Sequence, residues 1–222
     1  MAETIPGGAA GLSRGQEEAA FYHEAALNTS WTGVRLMIGV VTSGLGAFVF
    51  AFFYLRSINN YGLWYPKGFD GPPVWQGTVI MALIVVSAAA QSFGLTRLKA
   101  GQKKPWFTVA SAALILGVAA LALQVDELMS LPFQPGANAF ASVFVGGTAV
   151  WTLLLFAVLI WLEIIVVGSR NIPEISFVEQ PPTFTEAAEV QRFQASLSAF
   201  TLFWNYMAVV AVVLWVLFYL VH

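Results

Sequence analysis

The chain has 222 residues, of which 58% are hydrophobic and only 10% are charged. In a soluble globular protein about a quarter of the residues are charged, so this composition argues against a water-soluble fold and favours a membrane protein. There is no cysteine and there are only two histidines, both outside the apolar runs, which argues against thiolate metal sites, iron–sulfur clusters and a bis-histidine heme. The net charge is −2 and no basic tract is present, so nucleic acid is excluded as a partner.

The first thirty residues lack the basic start and apolar core of a signal peptide. We therefore expect residues 1–30 to stay in the mature protein as a cytoplasmic segment. The stretch from Glu17 to Ala26 favours a short helix, which we expect to lie along the membrane surface.

Five apolar runs follow, and each has the roughly 20 residues that a helix needs to cross a hydrocarbon layer of about 30 Å. Backbone groups in lipid must bond within their own segment, so runs of this length predict helices, and the alternating segments of a β-barrel are absent. Helix is expected to resume near Phe184, after Pro181 and Pro182, and to continue into the last run. We predict an all-α polytopic membrane helix bundle, a single domain over residues 31–222, with spans at 35–56, 76–96, 105–125, 140–168 and 197–221.

Basic residues in the connections predict the orientation of the bundle. Four of them crowd the link between the second and third spans, and none lies between the third and fourth, so the crowded link is expected to be cytoplasmic. The N-terminus is then cytoplasmic and the C-terminus lies outside. This orientation leaves only Arg56 and Lys67 of the ten basic residues on the outer side.

Ionisable residues inside a span cost roughly 2.5–3.5 kcal/mol at the bilayer centre, so each one is a candidate for function. Glu163 falls near the cytoplasmic boundary of the fourth span. It is either a boundary carboxylate, reaching headgroups or pairing with Arg35 or Arg170, or a member of a proton relay. Asp126 and Glu127 lie at the outer end of the third span, where we expect a solvated helix end.

Neutral polar and small residues within the spans predict contacts between helices. Amides and hydroxyls such as Thr42, Ser92 and Asn205 are expected to hydrogen-bond from one helix to another. Small residues four positions apart allow close backbone approach, and they occur at Gly39/Ser43, Ala113/Gly117 and Ser142/Gly146. No Walker loop, nucleophile elbow, zinc motif or dinucleotide fingerprint occurs, so no catalytic residue is predicted.

Several segments resemble subunit III of the heme-copper oxidases, the family of cytochrome c and quinol oxidases. Gln124 and Glu127 form a Gln-x-x-Glu pair at a helix end, followed by Ser142 and Phe144 as a Ser-x-Phe at the next span. In the last span, the segment that starts with Phe203 and Trp204 and ends in an aromatic pair, Phe218 and Tyr219, is similar to the family's closing helix. The first span ends in an aromatic-rich stretch and a basic residue, Arg56.

The resemblance implies a divergent five-helix bacterial form. Asn205 and Ala208 stand where the family has a histidine and an aspartate, and Trp151 and Leu154 stand where it has two histidines. Only Gln124, Glu127, Trp204 and Arg56 carry over, and the implied role of all four is structural.

The function implied by the resemblance is that of a non-catalytic accessory subunit in the bacterial inner membrane. Heme and copper would lie in partner subunits, first of all the catalytic subunit I, and phospholipid would be bound. The whole complex would reduce oxygen to water and pump protons. The apolar faces of the first and fifth spans are expected to carry either the partner contact or the lipid. The alternatives are a small secondary transporter or permease component, and an accessory subunit of another membrane redox complex.

Overall fold

The computed structural model describes residues 14–59, 61–172 and 184–221. The described residues form helices joined by turns and loops, and they contain no strand. The five helices are α1 (Arg14–Ile58), α2 (Val74–Lys99), α3 (Lys103–Met129), α4 (Ala139–Gly168) and α5 (Phe184–Trp215), with a 3-10 turn at Ser169–Asn171 and a π-helical turn at Val216–Leu220. All five are long and apolar enough to cross a membrane. The predicted all-helical chain with five candidate spans is therefore confirmed.

Two helix starts were predicted in polar segments, one before the first span and one before the last, and the structure confirms only the second. The structure begins α5 at Phe184, as predicted from the preceding prolines. The separate short helix predicted over Glu17–Ala26 is wrong, because α1 is one continuous helix of 45 residues. No proline interrupts this stretch, so nothing stops the helix from running through the boundary between its polar and apolar parts. At 1.5 Å per residue α1 is about 68 Å long, more than twice the hydrocarbon thickness.

Helix α5 lies at the centre of the bundle. It packs against α2 on one side and α1 on another, while α2 also packs along α3, and α3 packs on α4. In the most apolar stretch of α5, 56% of the residues are buried, against 6% in α1. Helix α1 is therefore the peripheral helix of the isolated chain.

Small residues account for the close approach of α3 to its neighbours. Ala113 and Gly117 are both buried, and a side chain on Gly117 would overlap Leu159 of α4. The predicted close packing is thus found at this pair, whereas Gly39/Ser43 and Ser142/Gly146 lie on exposed surface.

An aromatic cluster covers the end of the bundle where α3 ends and α4 begins. Trp64, in the loop after α1, packs edge-on against Phe52 and Phe140, with ring centroids 5.1 and 5.7 Å apart. Phe140 in turn lies 5.9 Å from Phe144, and the Phe144 ring lies 5.9 Å from that of Tyr219. The cluster covers the inward side of the last turn of α3, where Glu127 is buried, while Asp126 and Met129 of the same turn stay exposed.

Candidate functional site

The buried carboxyl group of Glu127 joins Gln124 of α3 to Tyr219, which lies in the π-helical turn that follows α5. The side chain of Glu127 has no exposed surface. Its Oε2 accepts a hydrogen bond of 2.8 Å from Nε2 of Gln124, and its Oε1 accepts one of 2.5 Å from the hydroxyl of Tyr219. The two motif residues of α3 therefore form one hydrogen-bonded unit with the end of the last helix.

We expected both Asp126 and Glu127 to be exposed at the end of α3. Asp126 is exposed, whereas Glu127 is buried, so the prediction is wrong for Glu127. Neighbouring residues on an α-helix point about 100° apart, so one of the two faces the bundle. Glu127 faces inward, beneath the aromatic cluster. Asp126 is exposed, and its Oδ2 accepts a hydrogen bond of 3.0 Å from Nε2 of Gln76 on α2.

Glycine 77 of α2 makes room for the Tyr219 ring. A Cβ at Gly77 would overlap that ring. The ring occupies the space that a side chain at position 77 would fill. Because Gly77 has no side chain, the Tyr219 hydroxyl can reach Glu127. Three helices, α2, α3 and α5, thus meet at this carboxyl group.

A cavity of about 30 Å³ adjoins the buried unit. Its polar lining comes from Gln124, Thr148 and Tyr219, among mostly apolar neighbours. A volume of this size has room for one water molecule. This volume is too small for an organic substrate, and the hydrogen bonds beside it join α3 to the end of the last helix.

Trp204 is the centre of a second buried network. Its side chain is fully buried, and its Nε1 donates to Oγ of Ser87 at 3.1 Å. The Ser87 hydroxyl donates in turn to the backbone carbonyl of Ala113 at 2.7 Å. This chain of hydrogen bonds ties α5 to α2 and α2 to α3. Trp204 lies 15 residues before Tyr219, about 22 Å along the helix, so the two networks are separate.

Arg56 and Glu163 are not joined to either network. Arg56 is half-buried in the last turn of α1. Glu163 is exposed on α4, next to the exposed side chain of Ile164. Within the described ranges no ion pair links Glu163 to Arg35 or Arg170, and the Arg170 guanidinium instead lies 5.6 Å from the centre of the Phe107 ring.

Three residues of the buried networks were not predicted from the sequence: Tyr219 as a polar partner, Ser87 and Gly77. A signal for the last two exists in α2, where the buried residues recur every three or four positions: Gln76, Gly77, Ile80, Ile84, Ser87, Ala88, Gln91, Gly94 and Leu98. Small and polar residues share this stripe with isoleucine and leucine, which is typical of a packed helix interface in a membrane. Tyr219 had no such signal, because its partner is 92 residues away in sequence.

The described residues do not bring three His, Cys, Asp or Glu side chains together as a metal site requires. No protein-family model matches this chain, and no curated protein matches it either.

Proposed function

We propose that this chain is a non-catalytic accessory subunit, subunit III, of a heme-copper oxidase in a bacterial inner membrane. The observation that carries the proposal is the buried unit of Gln124, Glu127 and Tyr219. The two residues that match the family's Gln-x-x-Glu motif contact each other, and one of them also bonds the aromatic pair that matches the family's closing helix. Matched residues that act together support the motif better than spacing alone.

In this proposal the hemes and copper belong to the catalytic subunit. The chain itself offers no cysteine, and its two histidines lie outside the apolar runs. Its part in reducing oxygen and pumping protons is to hold the catalytic subunit and its lipid in place. The N-terminus is cytoplasmic in the proposed orientation, because this places eight of the ten basic residues inside.

A cleft between α1 and α4 supports the proposed binding of phospholipid. Its volume is about 650 Å³, and α5 forms its floor at Val210 and Leu214. The walls are apolar, and they are open because Gly44, Gly146 and Gly147 carry no side chain. A lipid acyl chain needs an apolar slot of this kind and no hydrogen-bonding group.

The continuity of the helices favours an accessory subunit over a transporter. Transporters commonly break helices near the middle of the membrane to form a binding site. Here α1 to α4 run unbroken, and the one irregular turn of α5 lies at its end, at Val216–Leu220. An accessory subunit of another membrane redox complex would have the same kind of helix bundle. The cofactor absorbance of the purified complex distinguishes that function from an oxidase subunit.

Deletion of the gene tests the proposal. We expect membranes of the deletion strain to contain less assembled heme-copper oxidase, and to consume oxygen more slowly through it. Expression of the intact chain from a plasmid should restore both. A deletion strain that yields the complete, fully active heme complex would contradict the proposed role.

A further inference from the structure

One side of α5 is left exposed between its two neighbours. We call it the α5 face, and it consists of Leu202, Asn205, Val209, Val212 and Val213. On one side of it, Trp204 and Trp215 of α5 hydrogen-bond to α2. On the other side, Tyr206 contacts Thr42 of α1. At about 100° per residue, the exposed positions fall between these two contact lines.

Asn205 places a polar group on this face deep in the hydrocarbon layer. It lies 16 residues from Glu189 and 15 from Leu220, the ends of its candidate span. These separations are about 24 and 22 Å along the helix, whereas the hydrocarbon layer is about 30 Å thick in all. A polar side chain exposed at this depth is unfavourable unless another protein group bonds to it.

The hydrogen bonds of Asn205 leave part of its amide unused. Its Nδ2 donates to Oγ of Ser92 at 2.9 Å, and the same hydroxyl donates back to Oδ1 at 3.0 Å. An asparagine amide has two donors and two acceptor sites. Among the residues that the structure describes, Ser92 is the only side-chain partner, which leaves one donor and one acceptor site of this exposed amide without a partner there.

A second polar pair lies beside the first. The hydroxyls of Thr42 on α1 and Tyr206 on α5 are 2.8 Å apart, and Thr42 is exposed. Since Tyr206 follows Asn205 in the same helix turn, both pairs lie at one level of the membrane. An acyl chain gives neither pair a hydrogen bond, in contrast to the α1–α4 cleft, whose lining is almost wholly apolar.

We propose that the α5 face docks a transmembrane helix of a partner subunit, and that this helix presents a hydrogen-bonding side chain to Asn205. The inference rests on the proposed function, in which the chain acts through its partners. It assigns the partner contact to the α5 face and leaves the α1–α4 cleft to lipid.

Site-specific photo-crosslinking in native membranes tests the interface. A photoreactive phenylalanine analogue replaces Val209, which is 61% exposed on the α5 face, and in a matched control it replaces Ile115, which is 68% exposed on α3. We expect the Val209 position to form an adduct with one integral membrane protein, at a peptide within an apolar span, and the Ile115 position to form much less. Adding Asn205→Leu should lower that adduct severalfold. Thr152→Val should leave it unchanged, because the Thr152 hydroxyl bonds within its own helix.

Three results would overturn the interface: adducts with lipid alone, adducts with a second copy of this chain, or equal adducts at both positions. Asn205→Leu must also keep the thermal stability of the purified chain, so that a lost adduct reports docking rather than unfolding. If a heme-bearing complex co-purifies while Val209 contacts only lipid, the interface fails and the proposed function stands. If the Asn205-dependent partner at Val209 belongs to a complex that contains no heme, the interface stands and the oxidase assignment fails.

Discussion

Tyr219 and Glu127 show how a polar group is kept inside an apolar bundle. The carboxyl group is fully buried, so each hydrogen bond that it accepts replaces one lost with water. A buried group that loses such a partner bears the desolvation cost alone, which makes the tyrosine hydroxyl more valuable here than at the bundle surface.

Two matched substitutions compare the contribution of a tyrosine hydroxyl to stability at the buried carboxyl group and at the bundle surface. We expect Tyr219→Phe to lower the free energy of unfolding by about 1–3 kcal/mol, because it leaves one oxygen of a fully buried carboxyl group without its hydrogen bond. Tyr206→Phe removes a bond between two hydroxyls at a half-buried site, and should cost less than about 1 kcal/mol. Unfolding in mixed micelles, followed by tryptophan fluorescence, gives both values. Equal losses would contradict a special role for the buried carboxyl group.

Gln91 is a buried polar residue without the hydrogen bonds that Glu127 has. Its side chain has no exposed surface, and neither its amide nitrogen nor its amide oxygen has a hydrogen-bond partner among the described residues. Gln91→Met keeps the length of the side chain and removes the unsatisfied amide, so we expect the free energy of unfolding to stay the same or to rise by about 1 kcal/mol.

Gln124→Met is the control for that substitution. It removes the donor to Glu127 and should lower the free energy of unfolding by about 1–3 kcal/mol, in the same micelle assay. A loss at Gln91→Met as large as at Gln124→Met would mean that a bound water satisfies the Gln91 amide.

At the residue scale the sequence predicted part of the site. Gln124 and Glu127 were paired through the resemblance to the family's Gln-x-x-Glu motif, whereas the residues alone predicted a solvated helix end at Glu127. Their burial could not be predicted, since it depends on Tyr219 and on aromatic rings from distant loops. The spacing of apolar residues does not specify which distant side chain will cover a carboxylate.

At the scale of single helices, two glycines in different helices differ in how closely a neighbouring side chain approaches them: Gly77 of α2 and Gly146 of α4. Gly77 lies under the ring of Tyr219, whereas no atom lies within 4 Å of the position that a Cβ would take at Gly146. The two glycines therefore provide a comparison in which helix propensity is matched and packing differs.

Alanine substitutions at these glycines separate packing from propensity. Alanine is favoured over glycine in a helix by about 1 kcal/mol, so Gly146→Ala should be neutral or stabilising. Gly77→Ala pushes the Tyr219 ring away from Glu127, and we expect a net loss of about 1–3 kcal/mol in the free energy of unfolding. Equal effects in the micelle assay would show that the ring does not depend on Gly77.

Helix positions were largely predictable, and helix continuity was not. Apolar runs located all five spans because each span must supply enough hydrophobic length. The two prolines before Phe184 marked the start of α5. The continuity of α1 was missed because a change from polar to apolar residues resembles a boundary, although no helix-breaking residue stands there.

For the whole molecule, the distribution of basic residues makes a prediction about orientation. The chain has no cysteine, so one introduced cysteine is a unique label site. With the N-terminus cytoplasmic, Gln134→Cys in the loop before α4 should react with an impermeant maleimide in intact cells. Ala100→Cys, in the exposed turn between α2 and α3, should react only after permeabilisation. The reverse pattern would contradict the orientation.

The arrangement of the helices could be predicted only in outline. The sequence predicted five spans in one bundle and did not specify which helices are neighbours. The central place of α5 was not foreseeable, because it depends on scattered single contacts such as Trp204 with Ser87 and Asn205 with Ser92. The sequence indicated Ser92 and Asn205 as candidates for bonds between helices without showing which helices they join, and it gave no such indication for Ser87.

Purification of the intact complex through a tag on this chain tests the central claim most directly. In a mild detergent, we expect the preparation to show the visible absorbance of heme and to contain copper, with both metals following the catalytic subunit when the subunits are separated. A colourless preparation of this chain alone, active in solute transport after reconstitution into vesicles, would contradict the account.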